Sequence, residues 1–133
     1  MDANAYLNFN GQCEEAFGFY AKTFGGEIAM LSRWADMPGG CPPGMEKRVM
    51  HANLKLGSAS LLGSDSPPDR YSKPAGMGVA LSLDGPAKAE AVFAALSQGG
   101  SVTMPMQQTF FAPRFGMVTD RFGIPWMVLS QTA

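Results

Sequence analysis

The chain repeats itself. Residues 5–30 overlie residues 79–104 without a gap, so Ala5-Tyr6-Leu7-Asn8-Phe9-Asn10-Gly11 falls on Val79-Ala80-Leu81-Ser82-Leu83-Asp84-Gly85. At the same offset Phe19 meets Phe93, Ala21 meets Ala95, and Gly25-Gly26 meets Gly99-Gly100. After a slip of eight residues the likeness resumes, with Leu56-Gly57 on Phe122-Gly123 and Ser64 on Ser130. A short unit written twice restricts the fold to two similar half-domains, because one copy cannot bury its apolar face alone. The halves are expected to face each other across a shared seam and to enclose a cleft.

Each copy reads as strand, helix and three strands. From Ala5 to Phe9 every second residue is apolar, the pattern of a half-buried strand. Asn10 offers a side-chain acceptor to a helix start. Cys13, Ala16, Phe17, Tyr20 and Phe24 then recur at helical spacing, and Gly25-Gly26 stops the helix. Glu27 to Trp34, Val49 to Leu56 and Ser58 to Ser64 read as the remaining strands, with a Gly/Pro loop over Met37–Gly44. In the second copy Gly78–Leu83 is a strand, and Pro86 opens a helix striped by Ala89, Val92, Phe93 and Leu96. Ser101–Met106, Pro113–Thr119 and Ile124–Leu129 complete the set. The expected organisation is one α+β domain: module one over residues 1–66, a connection over 67–75, and module two over 76–133.

Bulk properties narrow the partners. At 133 residues the chain can bury roughly two-thirds of its unfolded surface. The net charge of -1, with no basic run, argues against nucleic acid, whose phosphates require clustered Lys and Arg. No apolar stretch reaches the length of a membrane span, and the start lacks the pattern of a signal peptide. Cys13 and Cys41 make neither a disulfide framework nor a zinc spacing, so a cytoplasmic setting is expected.

The duplicated βαβββ unit resembles the vicinal oxygen chelate superfamily, also called the glyoxalase/bleomycin-resistance/dioxygenase fold. Tyr6-Leu7-Asn8-Phe9-Asn10-Gly11, Met50-His51-Ala52-Asn53-Leu54, Gly63-Ser64-Asp65 and the run from Phe115 to Trp126 resemble its PhnB-like branch. Asp120-Arg121-Phe122-Gly123-Ile124-Pro125-Trp126 is the most specific stretch. The resemblance implies paired modules with curved mixed sheets around a small-molecule cleft, and a homodimer. Metal-dependent members hold a dication through His or Glu at four cleft positions. Alignment places Asn4, Leu61, Gly78 and Met127 there, with Tyr6, Gly63, Ala80 and Leu129 two residues further on. One amide among hydrocarbons and thioethers does not hold a hard or borderline dication. No metal and no cofactor are therefore expected. Relatives in this branch carry a demethylubiquinone methyltransferase-like label. Gly76-Met77-Gly78, however, precedes a strand instead of linking a strand to a helix, so it lacks the context of a nucleotide-binding turn.

The remaining candidates are Tyr6, Asn8, His51, Asn53, Ser82, Phe111, Arg114, Met117 and Met127. His51 is the only histidine, the residue type most often used for general acid–base work, and is the candidate general base. A solvent-exposed or backbone-bonded histidine is the plainer reading. Tyr6, Asn8 and Ser82 lie on matching faces of the two first strands, where they would orient a polar ligand or bond one another. Trp34, Phe110, Phe111, Phe115, Met117 and Met127 would form an adaptable apolar wall, or simply core. Arg114 would pair with a ligand anion or make a surface ion pair. Cys13 reads as structural and Cys41 as lacking an activating base. Two functions compete: a metal-independent small-molecule-binding protein, and a metal-independent isomerase or lyase. A module that kept the fold and lost the site is the third possibility.

Overall fold

The computed structural model describes all 133 residues and divides into two compact units, Met1–Ser72 and Lys73–Ala133. Unit one runs β1 (Ala5–Phe9), α1 (Cys13–Phe24), β2 (Glu27–Arg33), β3 (Val49–Leu56) and β4 (Ala59–Asp65). Unit two runs β5 (Val79–Leu83), α2 (Pro86–Ser97), β6 (Ser101–Gln107), β7 (Arg114–Thr119) and β8 (Pro125–Ser130). The two sheets are ordered β1-β4-β3-β2 and β5-β8-β7-β6. In each, the first strand runs parallel to the last and the other neighbours are antiparallel. The repeat seen in the letters is thus a repeat of topology.

Strand pairing refines the alignment. Ala5 pairs with Leu61 and its counterpart Val79 pairs with Trp126, so the slip along the last strands is nine residues and not eight. Asp65, not Ser64, is therefore the counterpart of Ser130. The β7–β8 connection is one residue longer than its counterpart, with five residues between the paired Thr119 and Pro125 against four between the equivalent pair Lys55 and Ser60.

Each helix covers one face of its own sheet. In unit one Leu7, Phe9, Ala52, Leu54 and Leu61 are buried against Cys13, Ala16, Phe17 and Tyr20 of α1. A Cβ on Gly63 would lie 2.7 Å from the Phe17 ring, so the missing side chain is what admits that ring. Unit two uses the same device on a different strand. A Cβ on Gly116 would lie 2.7 Å from Phe93 of α2, beside buried Val118, Trp126 and Val128.

Two expectations about local structure change. Asn10 does not cap α1: Gln12 holds that position without a side-chain bond, and Asn10 Oδ1 instead accepts from Arg48. The cap comes from the adjacent strand, because Asp65, the register partner of Phe9 on β4, accepts through Oδ1 from the amides of Gly11 and Cys13 while Oδ2 accepts from Val49. Trp34 leaves β2 for a 3-10 turn over Trp34–Asp36, since Asp36 accepts from the Arg33 amide and Trp34 Nε1 donates to the Asp65 carbonyl. Unit two also has a buried carboxylate. Asp120 accepts from the amides of Phe122 and Ile124 and from Trp126 Nε1 at 2.8 Å.

Candidate functional site

Alternation leaves the opposite face of each sheet free of helix. In unit one Tyr6 pairs with Leu62 and Asn8 with Ser64, while Asn53 lies across from Leu62 and Ser32 across from His51. Neighbours in the sequence point to α1, so these side chains share the helix-free face. Tyr6 Oη and His51 Nδ1 are 2.9 Å apart, and their rings stack with centroids 5.6 Å apart at 28°. Ser64 Oγ donates to Asn8 Oδ1 at 3.4 Å. Asn53 Oδ1 is buried and has no hydrogen-bond partner. A buried acceptor without a donor costs about 1–3 kcal/mol, so this face carries an unmet demand for a donor. A phenol, an imidazole and a primary amide together can both donate to and accept from a polar ligand group.

The matching face of unit two is apolar. Met117 pairs with Met127, Phe115 with Leu129, and Met127 with Ala80, leaving exposed Ser82 as the main polar group on β5. A depression of about 250 Å³ opens there, lined by Met77, Gly78, Thr103, Met117, Thr119 and Met127 among others. Phe111 stands edge-on to Phe115, with ring centroids 4.9 Å apart, and Phe110 next to it is fully exposed. Arg114 turns to the helix side and pairs with Glu90 of α2. It is engaged in the ion pair that was the plainer of its two expected roles.

The structure thus brings Tyr6, Asn8, His51 and Asn53 together in unit one, and Met117 with Met127 in unit two. Trp34 lies in the 3-10 turn, where its Nε1 donates to the Asp65 carbonyl. Cys13 is fully buried, and burial pushes its thiol pKa up, with the charges of Asp65 and Glu14 adding to the effect. It stays protonated and structural.

The positions aligned with dication ligands need one correction. Leu61 is buried against α1 and its counterpart is Trp126. The helix-free partner of Met127 by symmetry is Leu62. Asn4 and Leu62 in unit one, with Gly78 and Met127 in unit two, still contain a single amide as hard donor. No three His, Cys, Asp or Glu side chains group closely enough to hold a metal ion. No helix is long and apolar enough to cross a membrane.

Known proteins share this arrangement. A family model described as 3-demethylubiquinone-9 3-methyltransferase matches residues 2–129. The chain belongs to that family, and it has the fold of glyoxalase/bleomycin-resistance/dioxygenase proteins. Protein YjdN of Escherichia coli is 31% identical over 96% of this chain and 94% of its own length. The crystal structure of protein PA1353 from Pseudomonas aeruginosa is 42% identical, covers 98% of each chain and superposes with a TM-score of 0.92. A Bacillus cereus PhnB protein, described as a putative 3-demethylubiquinone-9 3-methyltransferase, is 29% identical, with 98% and 99% coverage and a TM-score of 0.82. A glyoxylase/bleomycin resistance protein/dioxygenase domain from Frankia, 13% identical over 98% and 91% of the two chains, shares the fold at a TM-score of 0.65. In this PhnB-like chain Gly76-Met77-Gly78 leads into β5 and so precedes a strand, as the sequence implied.

Ser32, Leu62 and Ser64 on the helix-free face escaped the sequence reading. The parity of Leu61 and Gly63 was the available signal, since both point to α1 and place Leu62 and Ser64 opposite. Asp65 and Asp120 were read only as parts of motifs, although each binds three donors.

Proposed function

We propose that this PhnB-like chain binds a small molecule without a divalent metal, and that a polar group of that molecule engages Tyr6, His51 and Asn53. The buried, unpartnered Asn53 Oδ1 beside the Tyr6–His51 pair carries the reading. A face evolved only for solvent has no reason to bury an acceptor without a donor. A ligand N–H or O–H would meet that demand, and the Tyr–His pair would fix the ligand's orientation. A thermal-shift screen of small polar aromatic and glycopeptide-like compounds tests this. Compounds that stabilise the wild-type chain but not His51→Ala or Asn53→Ala support it, and a screen without stabilising compounds counts against it.

One observation favours a second reading, an isomerase or lyase with His51 as general base. In the tautomer whose Nδ1–H donates to Tyr6 Oη, Nε2 is unprotonated, has no protein partner and can take a substrate proton. Tyr6 would then hold the imidazole in place. Any turnover found with a stabilising compound should vanish in His51→Ala, and full activity in that variant would exclude the base.

A further inference from the structure

Methionine is concentrated in this chain, with ten residues among 133, and three of the ten line one depression. Met117 and Met127 are register partners on adjacent antiparallel strands, which places their Cβ atoms about 4.5–5.5 Å apart. Met77 reaches the same depression from the segment before β5 and is 66% exposed. Gly78 lies under the Met127 side chain, with nothing nearer than 3.5 Å to a Cβ placed there. The other polar groups around the depression are the hydroxyls of Thr103 and Thr119, and no carboxylate or imidazole lines it.

From this juxtaposition we propose that Met77, Met117 and Met127 form a thioether site for a soft monovalent cation of the Cu(I) or Ag(I) class. The chemistry that disqualifies these residues as ligands for a hard dication favours them here. Thioethers are soft donors, and softness selects Cu(I) over the hard and borderline divalent ions. Three donors suffice for a d¹⁰ monovalent ion, and the unbranched Met side chain has the torsional freedom to converge its sulfur on a common point. A thioether has no proton to lose, so binding should not weaken in mild acid as it does at thiolate or imidazole sites. The ion binds as Cu(I) or Ag(I) without change of oxidation state. The Tyr6–His51 reading stands or falls separately, since no residue is shared with it.

The test uses the whole chain with Cys41→Ser, because Cys41 is the partly exposed thiol and would compete for the ion. Ag(I) is titrated under methionine methyl NMR, and Cu(I) affinity is measured by competition with a chromophoric chelator at pH 5.0 and at pH 7.0. We expect one equivalent to bind, shifting the methyl signals of Met77, Met117 and Met127 first, with affinity changing less than threefold between the two pH values. Met117→Leu with Met127→Leu should weaken binding at least tenfold, while His51→Ala in the same background leaves it unchanged. Leucine conserves volume, and an unchanged melting temperature verifies that the double variant is folded. Undiminished binding in that variant, a tenfold loss at pH 5.0, or first shifts at other methionines would overturn the proposal.

Discussion

The two units share a topology and differ in what they put on the face without a helix. Unit one presents Tyr6, Asn8, His51, Asn53, Leu62 and Ser64 there; unit two presents Ala80, Ser82, Phe115, Met117, Met127 and Leu129 at related positions, so polar groups dominate the first face and apolar ones the second. On the helix side both pack an apolar stripe, and each admits a helix phenylalanine ring close over a glycine, though on different strands. Packing against a helix demands complementary shape, and that demand binds both copies equally. The other face carries no such requirement, so one copy has become polar and the other apolar. Shared constraint preserved the fold, and its absence let the chemistry of the two copies part.

The buried carboxylates provide the largest expected effects. Asp65→Ala would strand the amides of Gly11, Cys13 and Val49, and Asp120→Ala those of Phe122 and Ile124 together with Trp126 Nε1. Each variant should lose about 3 kcal/mol or more in urea denaturation, since every stranded buried donor costs about 1–3 kcal/mol. A loss below about 1 kcal/mol in either would show that these bonds do not organise the units. Next in size, Gly63→Ala and Gly116→Ala should each cost about 1–3 kcal/mol, because overpacking forces Phe17 or Phe93 from its place. Neutral effects at both sites would break the claim that the helix side is the constrained one.

Substitutions on the helix-free faces should be mild for stability. Met117→Leu and Met127→Leu conserve volume and should stay within about 1.5 kcal/mol, read by thermal unfolding. The smallest effect belongs to the exposed pair in which Arg33 donates twice to Glu14. The Arg33 hydrogen bond holds the Glu14 pKa below its ordinary value of 4.5. A carboxylate with a lowered folded-state pKa adds stability above its unfolded value and loses it as pH falls through the folded one. The gap in melting temperature between wild type and Glu14→Gln should therefore be present at pH 7 and close in acid. A gap that widens in acid would reverse the assignment.

Much of this fold was legible because periodicity reports burial. The alternation of Leu7 with Phe9 and of Val79 with Leu81, together with the helical stripe from Cys13 to Phe24, marked strands and helices within a residue or two. Register was harder. The slip of nine instead of eight is visible only in the strand pairing, which no local pattern reveals, and the shorter slip misplaced Leu61 on the helix-free side. Capping by Asp65 was hidden for a related reason: the acceptor is more than 50 residues away in sequence and meets the helix start only through the parallel β1–β4 pairing, while local rules pointed to Asn10. At the candidate site, the strand face of Tyr6, Asn8, His51 and Asn53 could be read from parity. The contact between Tyr6 and His51 crosses an intervening strand and required the sheet order.

Affinity for a stabilising compound, measured by calorimetry on wild type, Tyr6→Phe and His51→Ala, tests the assignment of the polar face most directly. The account predicts at least a tenfold weaker Kd in both variants with melting temperatures close to that of the wild type. Undiminished affinity in two well-folded variants would place the binding site elsewhere and contradict it.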